Sequence, residues 1–219
     1  MPDDQPLALA VLISGSGTTL ANLARRIDRG TLNARVAIVI ASNARAIEKL
    51  QSNMPQQQAL LIDRKSFDGI DSYSAAVFDA IGGAGAEIVC CAGFLSLLAI
   101  PDGYANRVLN IHPALLPGFG GRGMYGHRVH EAVLAAGCKV SGCTVHFADQ
   151  TYDTGPILVQ RSCPVKHDDT PQTLAARVFR QERIAYPEAI NLIAARRVRV
   201  EGNIARVLPE PATSRVVAR

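Results

Sequence analysis

The sequence predicts an α/β fold: a mostly parallel, twisted sheet with helices on both faces, followed by a long helix and a carboxyl-terminal hairpin. In the first half of the chain, short apolar runs rich in β-branched residues alternate with helix-like segments. That alternation is typical of parallel strands joined by crossover helices. In the second half, two adjacent strand-like runs precede a capped helical segment.

The first half contains five predicted strands and two clear helices. The strands are expected at residues 7–13, 36–40, 59–62, 88–92 and 108–111. One helix follows the first strand and places on one side Leu20, Leu23, Ala24 and Ile27. The other begins near Ser72, ends at Gly82-Gly83, and places on one side Tyr73, Ala76, Val77, Ala80 and Ile81. Apolar residues at this spacing form one helical face, so both helices are expected to pack on the sheet.

The second half adds antiparallel pairing and a long helix. Residues 140–147 and 157–163 are predicted strands joined by the polar turn 148–155. Thr170 is expected to cap a helix that has Pro171 at its first position and runs toward Asn191, because threonine and proline favour those positions. Residues 198–200 and 204–208 are expected to form a hairpin, with a loose tail over 209–219. We expect one domain over 1–219, with its core within 7–208.

Composition excludes several classes of protein. With 48% hydrophobic and 19% charged residues among 219, the chain is ordinary for a globular domain. It has no 18-residue apolar run and no basic segment before an apolar one at its start, so we expect no membrane span, no secretory signal and a cytoplasmic location. A net charge of +4 without an extended basic block does not favour nucleic-acid binding. Five cysteines without a Cys-x-x-Cys pair predict reduced, mostly buried thiols.

The end of the fifth predicted strand carries the clearest chemical signal. If the strand continues through His112, Asn110 and His112 lie on the same face. An amide N–H and a protonated imidazole can both donate to an oxygen that becomes negative during a carbonyl reaction. The alternative is a histidine that ends a strand and bonds to the backbone.

The turn Ser14-Gly15-Ser16-Gly17-Thr18-Thr19, between the first strand and a helix, is typical of a phosphate site. Leu20 at the third-glycine position, and the absence of an acidic residue after the next strand, argue against a dinucleotide fingerprint. The turn also lacks the Gly-Lys-Ser/Thr of a nucleoside-triphosphate loop. Alternatively, it is a tight turn that needs glycine only for its backbone.

Two carboxylates, Asp153 and Glu182, are candidates for a role in the site. Asp153 lies in a turn that leads into a strand, where it could cap the turn or could hold His112 charged near neutral pH by raising its pKa. Glu182 interrupts the helical stripe Leu174, Val178 and Ala185. Because an unpaired buried carboxylate is costly, Glu182 should reach water, form an ion pair or face a ligand.

His127, His130 and Glu131 suggest a metal site, but their spacing and the lack of a further ligand argue against one. The preceding segment contains several glycines: Gly118, Gly120, Gly121, Gly123 and Gly126. A glycine-rich segment after the strand-end histidine predicts a flexible loop, and a lid over the site is one role for it.

Four segments together resemble a known family. They are Ala92-Gly93-Phe94, Asn110-Ile111-His112-Pro113, residues 141–147, and Asp153-Thr154-Gly155-Pro156-Ile157. They are similar to segments of the phosphoribosylglycinamide formyltransferases, folate-dependent enzymes of purine synthesis with a Rossmann-like fold. The likeness extends from about Leu7 to Leu208. Asn-x-His and the Asp turn are shared by formyltransferases generally, whereas the glycine turn, the length and the lack of the further domains of related enzymes indicate the acceptor.

The resemblance implies a role for each candidate residue. Asn110, His112 and Asp153 would be catalytic, and the acceptor would be bound by Gly17, Thr18, Thr19 and Glu182. The folate would contact Leu95, Ser96, Leu97, Leu98 and Asn110. Leu116-Pro117 would be a cis peptide. The implied partners are the small molecules 10-formyltetrahydrofolate and 5-phosphoribosylglycinamide, without metal, nucleic acid or membrane; a homodimer is possible.

The chain departs from the family pattern at three positions. Thr19 replaces an asparagine of the phosphate turn, and Ser96 and Ile70 stand where the family often has folate-contacting arginines. These departures put folate affinity and the preferred glutamate-tail length in question. Two other functions stay open at this point: a formyltetrahydrofolate deformylase, in which water replaces the amine, and a non-catalytic protein that binds metabolites on the same scaffold.

Overall fold

A computed structural model describes residues 5–210, and in it seven strands form one mixed sheet in the order β3-β2-β1-β4-β5-β6-β7. The strands are β1 Leu7–Ile13, β2 Ala34–Ala41, β3 Leu60–Leu61, β4 Ile88–Cys91, β5 Val108–His112, β6 Val140–Phe147 and β7 Ile157–Pro164, with β8 Val198–Glu201 and β9 Ile204–Val207 forming a separate hairpin. The helices are α1 Thr18–Asp28, α2 Ala44–Asn53, α3 Ile70–Gly83, α4 His127–Ala135 and α5 Pro171–Ala194. Strands β1 to β5 pair in parallel, whereas β5 with β6 and β6 with β7 pair antiparallel. The predicted fold class is confirmed.

The sheet has apolar residues on both faces, as strand β1 shows. Leu9, Val11 and Ile13 pack into one core cluster with residues of α1 and α5. Ala10 and Leu12 point the other way and join a second cluster with α3. Because side chains alternate along a strand, a strand buried on both faces is apolar at every position. This is why β1 appears in the sequence as an unbroken apolar run.

The long helix α5 begins where the sequence predicted. The Thr170 hydroxyl accepts a hydrogen bond from the Thr173 N–H at 3.2 Å, the Thr173 hydroxyl accepts one from the Thr170 N–H at 2.9 Å, and Pro171 occupies the first helical position. This reciprocal cap satisfies backbone donors that a helix start otherwise leaves unpaired. The predicted carboxyl-terminal hairpin is also present as β8 and β9.

Other predictions were less accurate. The third strand, expected over 59–62, is confined to Leu60–Leu61, because it lies at the sheet edge and both leucines are exposed. The segment examined for metal ligands forms α4, which the sequence analysis did not predict.

Leu116-Pro117 is cis, and all five cysteines are free, as predicted. Most of the predicted tail, 211–219, lies outside the described residues, and no described helix is long and apolar enough to cross a membrane.

Candidate active site

A cavity of about 580 Å³ opens at the carboxyl ends of β1, β4 and β5. Ligands commonly bind at this edge of an α/β sheet. Six of the seven residues predicted for catalysis and acceptor binding line it: Thr18, Thr19, Asn110, His112, Asp153 and Glu182. Gly17, the seventh, lies just beneath as the N-cap of α1. The fold therefore gathers residues from segments that are far apart in sequence.

Strand β5 continues through His112, so Asn110 and His112 share a face as predicted. Antiparallel pairing with β6 places His146 opposite Asn110 and Thr144 opposite His112. His112 is buried, with 3% exposure, and its Nε2 lies 2.8 Å from the carbonyl oxygen of Phe119. That carbonyl can only accept, so Nε2 carries a proton and donates.

Asp153 approaches both residues from the turn between β6 and β7. Its Oδ2 lies 3.4 Å from His112 Nδ1, and its Oδ1 accepts a hydrogen bond from Asn110 Nδ2 at 3.3 Å. The N–H of Gly121 donates to Oδ2 at 2.9 Å. Asp153 itself has a left-handed backbone with φ of 61°, a conformation that is uncommon for a residue with a side chain. The structure thus brings together the three predicted catalytic residues.

His146 is a fourth member of this group, and the sequence analysis did not single it out. It is 1% exposed, its Nε2 lies 3.1 Å from Asn110 Nδ2 and 3.5 Å from Asp153 Oδ1, and its Nδ1 lies 3.0 Å from the Phe147 carbonyl oxygen. With a proton on Nδ1 donated to that carbonyl, Nε2 can accept from the Asn110 amide. The sequence offered only a histidine within the predicted strand 140–147 as a signal, because its burial and its pairing with β5 depend on the fold.

The ionisation of this group differs from the prediction. Burial lowers the pKa of His112 below its ordinary value, and it outweighs the charge of Asp153 and the Phe119 carbonyl, which act to raise that pKa. The expectation that Asp153 holds His112 charged near neutral pH was therefore wrong in its net direction, because desolvation disfavours the imidazolium. Burial also acts to raise the pKa of Asp153, but the neighbouring His146 and His112 rings and the N–H of Gly121 hold it below its ordinary value.

The amino-terminal end of α1 forms a second part of the cavity wall. Its N-cap, Gly17, has a φ of 71° and no side-chain cap, and a Cβ there would lie 2.9 Å from Leu50 Cδ1. Both the backbone conformation and the close approach of Leu50 require glycine. No acidic residue lies in the first turn, where Thr18 and Thr19 line the cavity. Unpaired backbone N–H groups and the helix dipole make this end suitable for an anion.

Two of the ionisable side chains that face the cavity from the helices have clearly shifted pKa values. Burial raises the pKa of Glu182 to about 7, and within residues 5–210 Glu182 has no hydrogen-bond or ion-pair partner. It therefore faces the cavity instead of forming a structural ion pair. On α4, buried His130 has an unpartnered Nδ1 among the described atoms, and burial lowers its pKa to about 4. The described residues contain no cluster of side chains suited to hold a metal ion.

A narrow apolar slot of about 60 Å³ adjoins the large cavity. Three of the predicted folate residues on the segment after β4 line the slot: Ser96, Leu97 and Leu98. Leu95 instead faces the large cavity and is 52% exposed. Asn110 and Asp153 line both spaces. The slot and the cavity therefore meet at the two polar groups that contact each other.

The comparisons with known proteins begin with a family model described as formyl transferase, which matches residues 7–190. This chain belongs to the formyl transferase family. The formyl transferase described here is 36% identical over 196 residues to the chloroplastic phosphoribosylglycinamide formyltransferase of Arabidopsis thaliana, covering 87% of this chain and 66% of that protein. It is 37% identical over 198 residues to the trifunctional purine biosynthetic protein adenosine-3 of Gallus gallus, covering 88% of this chain and 19% of that protein. It thus spans about two thirds of the plant relative and about one fifth of the animal one.

A solved structure is also similar to this formyl transferase. The crystal structure of glycinamide ribonucleotide transformylase 1 from Symbiobacterium toebii superposes with a TM-score of 0.85 at 36% identity. The match covers 94% of this chain and 96% of that one. The two proteins therefore share the fold over almost their whole length.

The three departures from the family pattern occupy different places in this formyl transferase. Thr19 lines the cavity at the start of α1, and Ser96 lines the slot. Ile70 is the first residue of α3 and lines none of the cavities described here. Two of the three departures thus lie in the walls of the site.

Proposed function

We propose that this chain is a phosphoribosylglycinamide formyltransferase, which moves the formyl group of 10-formyltetrahydrofolate to the amine of 5-phosphoribosylglycinamide. One observation carries the proposal. A narrow slot and a larger cavity meet at Asn110 and Asp153, and an uncapped helix start lines the larger cavity. A donor with a planar ring and a phosphorylated acceptor would then bring their reacting ends to the same two side chains.

The acceptor's phosphate would bind at the amino-terminal end of α1, through backbone N–H groups and the hydroxyls of Thr18 and Thr19. Glu182, which has no protein partner in the described structure, would accept hydrogen bonds from the acceptor's sugar or amide groups. The slot residues Ser96, Leu97 and Leu98 would hold the ring end of the folate. The folate supplies the reactive formyl carbon when it is bound.

The amine attacks the formyl carbon directly, so that a new C–N bond forms while the bond from that carbon to the folate nitrogen breaks. One proton must leave the amine, and one must reach the departing folate nitrogen. Neutral His112 can take the first proton as a base and return it as an acid, with Asp153 stabilising the imidazolium between the two steps. Because its pKa is lowered, His112 is neutral at the start and can accept the proton from the amine.

Asn110 would stabilise the negative charge that develops on the formyl oxygen. Both of its amide hydrogens have acceptors in this structure, Asp153 Oδ1 and His146 Nε2. Donation to the formyl oxygen therefore requires Asn110 to give up one of these bonds. His146 acts through Asn110 and Asp153, so it is a positioning residue in this scheme.

A single assay tests the proposal and separates it from the two alternatives. Purified protein is incubated with 10-formyltetrahydrofolate, with and without phosphoribosylglycinamide, while tetrahydrofolate and formate are measured. A transferase forms tetrahydrofolate only when the acceptor is present, and formate release without acceptor would identify a deformylase. Binding of both compounds without product would indicate a non-catalytic protein.

The role of His112 is tested in the same assay with His112→Ala. Loss of the group that moves the proton should lower kcat by about 100-fold or more and leave acceptor binding nearly intact. A wild-type kcat in that variant would remove His112 from the mechanism. The cytoplasmic location and a homodimer stay predictions from the sequence.

A further inference from the structure

Arg122 occupies an unusual position in the loop between β5 and α4. Its neighbours Gly121 and Gly123 have φ values of 96° and 89°, in the region that favours glycine. The side chain is exposed, and it has no hydrogen bond or ion pair with any residue of the 5–210 range. The loop thus presents an arginine whose charge is not used within the fold described here.

Arg122 lies where two spaces meet. It lines the large cavity and also a surface groove of about 540 Å³, whose other lining residues are Leu97, Gln150, Thr151 and Tyr152. Leu97, Thr151 and Tyr152 also line the apolar slot. A molecule whose ring end fills the slot can therefore leave it along this groove, and it then passes Arg122.

The groove offers little else to hold an anion. The amide of Gln150 is already paired with the backbone of Ile100, donating to its oxygen at 2.8 Å and accepting from its N–H at 3.3 Å. The Thr151 hydroxyl donates to Asp149 at 3.2 Å. Among residues 5–210, no lysine or second arginine lines the slot or the groove. Arg122 is therefore the cationic side chain available to a ligand there, whereas the slot also carries the carboxylates Asp149 and Asp153.

We propose that Arg122 binds the glutamate carboxylates of the folate and thereby sets the preference for an anionic folate tail. This inference rests on the proposed function, which makes a folate the occupant of the slot. The folate tail is a chain of carboxylates that extends away from the ring, and a guanidinium pairs well with a carboxylate. The acceptor's phosphate is assigned to Thr18 and Thr19, neither of which lines the groove.

The test is a binding cycle that needs no turnover and no acceptor. Dissociation constants are measured by calorimetry for 5-formyltetrahydrofolate and for the same compound with both glutamate carboxylates converted to amides. The wild-type protein should bind the diamide about 3- to 10-fold more weakly, which is the range for an exposed ion pair strengthened by hydrogen bonds. Arg122→Gln should bind both compounds equally and weakly, and Arg122→Lys should restore part of the difference.

Arg35→Gln is the matched control, since Arg35 is exposed on β2 at the opposite end of the strands from the site. It should retain the wild-type difference between the two ligands. Raising the salt concentration should shrink that difference, because exposed charges are screened. Equal binding of acid and diamide by the wild-type protein would overturn the proposal, and so would an Arg122→Gln variant that keeps the difference.

A second readout separates Arg122 from the acceptor site and from the proposed function. Dissociation constants for phosphoribosylglycinamide should be the same in wild type and Arg122→Gln; a change confined to this ligand would show that Arg122 serves the phosphate instead. Failure of the proposed function would appear as absence of formyl transfer by the wild-type protein. The dissociation constants of the binding cycle are measured without formyl transfer. Failure of the Arg122 proposal can therefore be distinguished from failure of the proposed function.

Discussion

Glu182→Gln tests whether the carboxylate on α5 is held in the cavity at a cost to stability. Glu182 interrupts an apolar helix face, and it has no ion-pair or hydrogen-bond partner within the described range of the chain. Glutamine has nearly the same shape and cannot ionise. The substitution therefore removes the charge while it leaves the packing of α5 almost unchanged.

The magnitude follows from the pKa. Burial raises the pKa of Glu182 from 4.5 to about 7, a difference worth about 3 kcal/mol at about 1.36 kcal/mol per unit. Between these two values the folded protein keeps a proton that the unfolded chain has lost, so the free energy of unfolding falls as pH rises. Roughly 2.5 kcal/mol of this fall lies between pH 5 and pH 8.

The assay is urea unfolding of wild type and Glu182→Gln at pH 5 and at pH 8. The free energy of unfolding of the variant, relative to wild type, should be higher at pH 8 than at pH 5 by about 2 to 3 kcal/mol. Glu48→Gln, an exposed glutamate on α2, is the control and should show little change in the same comparison. A relative stability of Glu182→Gln that is identical at both pH values would refute the burial argument.

Three further predictions concern activity. Asp153→Asn should lower kcat by about 100-fold or more while acceptor binding persists, because the amide cannot stabilise an imidazolium; unchanged single-turnover rates would contradict this role. Replacing Thr18 and Thr19 by valine should raise the acceptor KM about 10-fold and leave kcat nearly constant, and steady-state kinetics will show whether the KM moves. Gly155→Ala should lower kcat about 100-fold. A Cβ at Gly155 would lie 2.0 Å from the Phe147 oxygen and would displace the turn that carries Asp153. Gly69→Ala is the control, because nothing lies within 4 Å of the new Cβ.

The sequence predicted the parts of the site that depend on local pattern. Asn110 and His112 share a face because a strand has a period of two residues, and that rule needs no tertiary information. The glycine turn at Gly17 and the cap at Thr170 are also local, since their residue types match the backbone conformations that they adopt. The polar interruption at Glu182 was visible in the helix stripe, and the structure places it in the cavity.

Features that depend on pairing and burial were not predictable in this way. His146 reaches the site because β6 pairs antiparallel with β5 in one particular register, and a shift of one residue would turn its side chain to the other face. The net pKa of His112 depends on how deeply the ring is buried, which the sequence does not show. The short β3 reflects its place at the sheet edge, where only β2 supports it.

The hydrogen bond from the Gly121 N–H to Asp153 Oδ2 links the glycine loop to the chemistry. If the loop swings outward to admit a ligand, this carboxylate loses a backbone donor that stabilises its negative form. Asp153 would then be a stronger base with the entrance open than with it shut. Substrate entry is thereby coupled to the proton affinity of Asp153, and the closed loop favours the ionised carboxylate that would stabilise the His112 imidazolium.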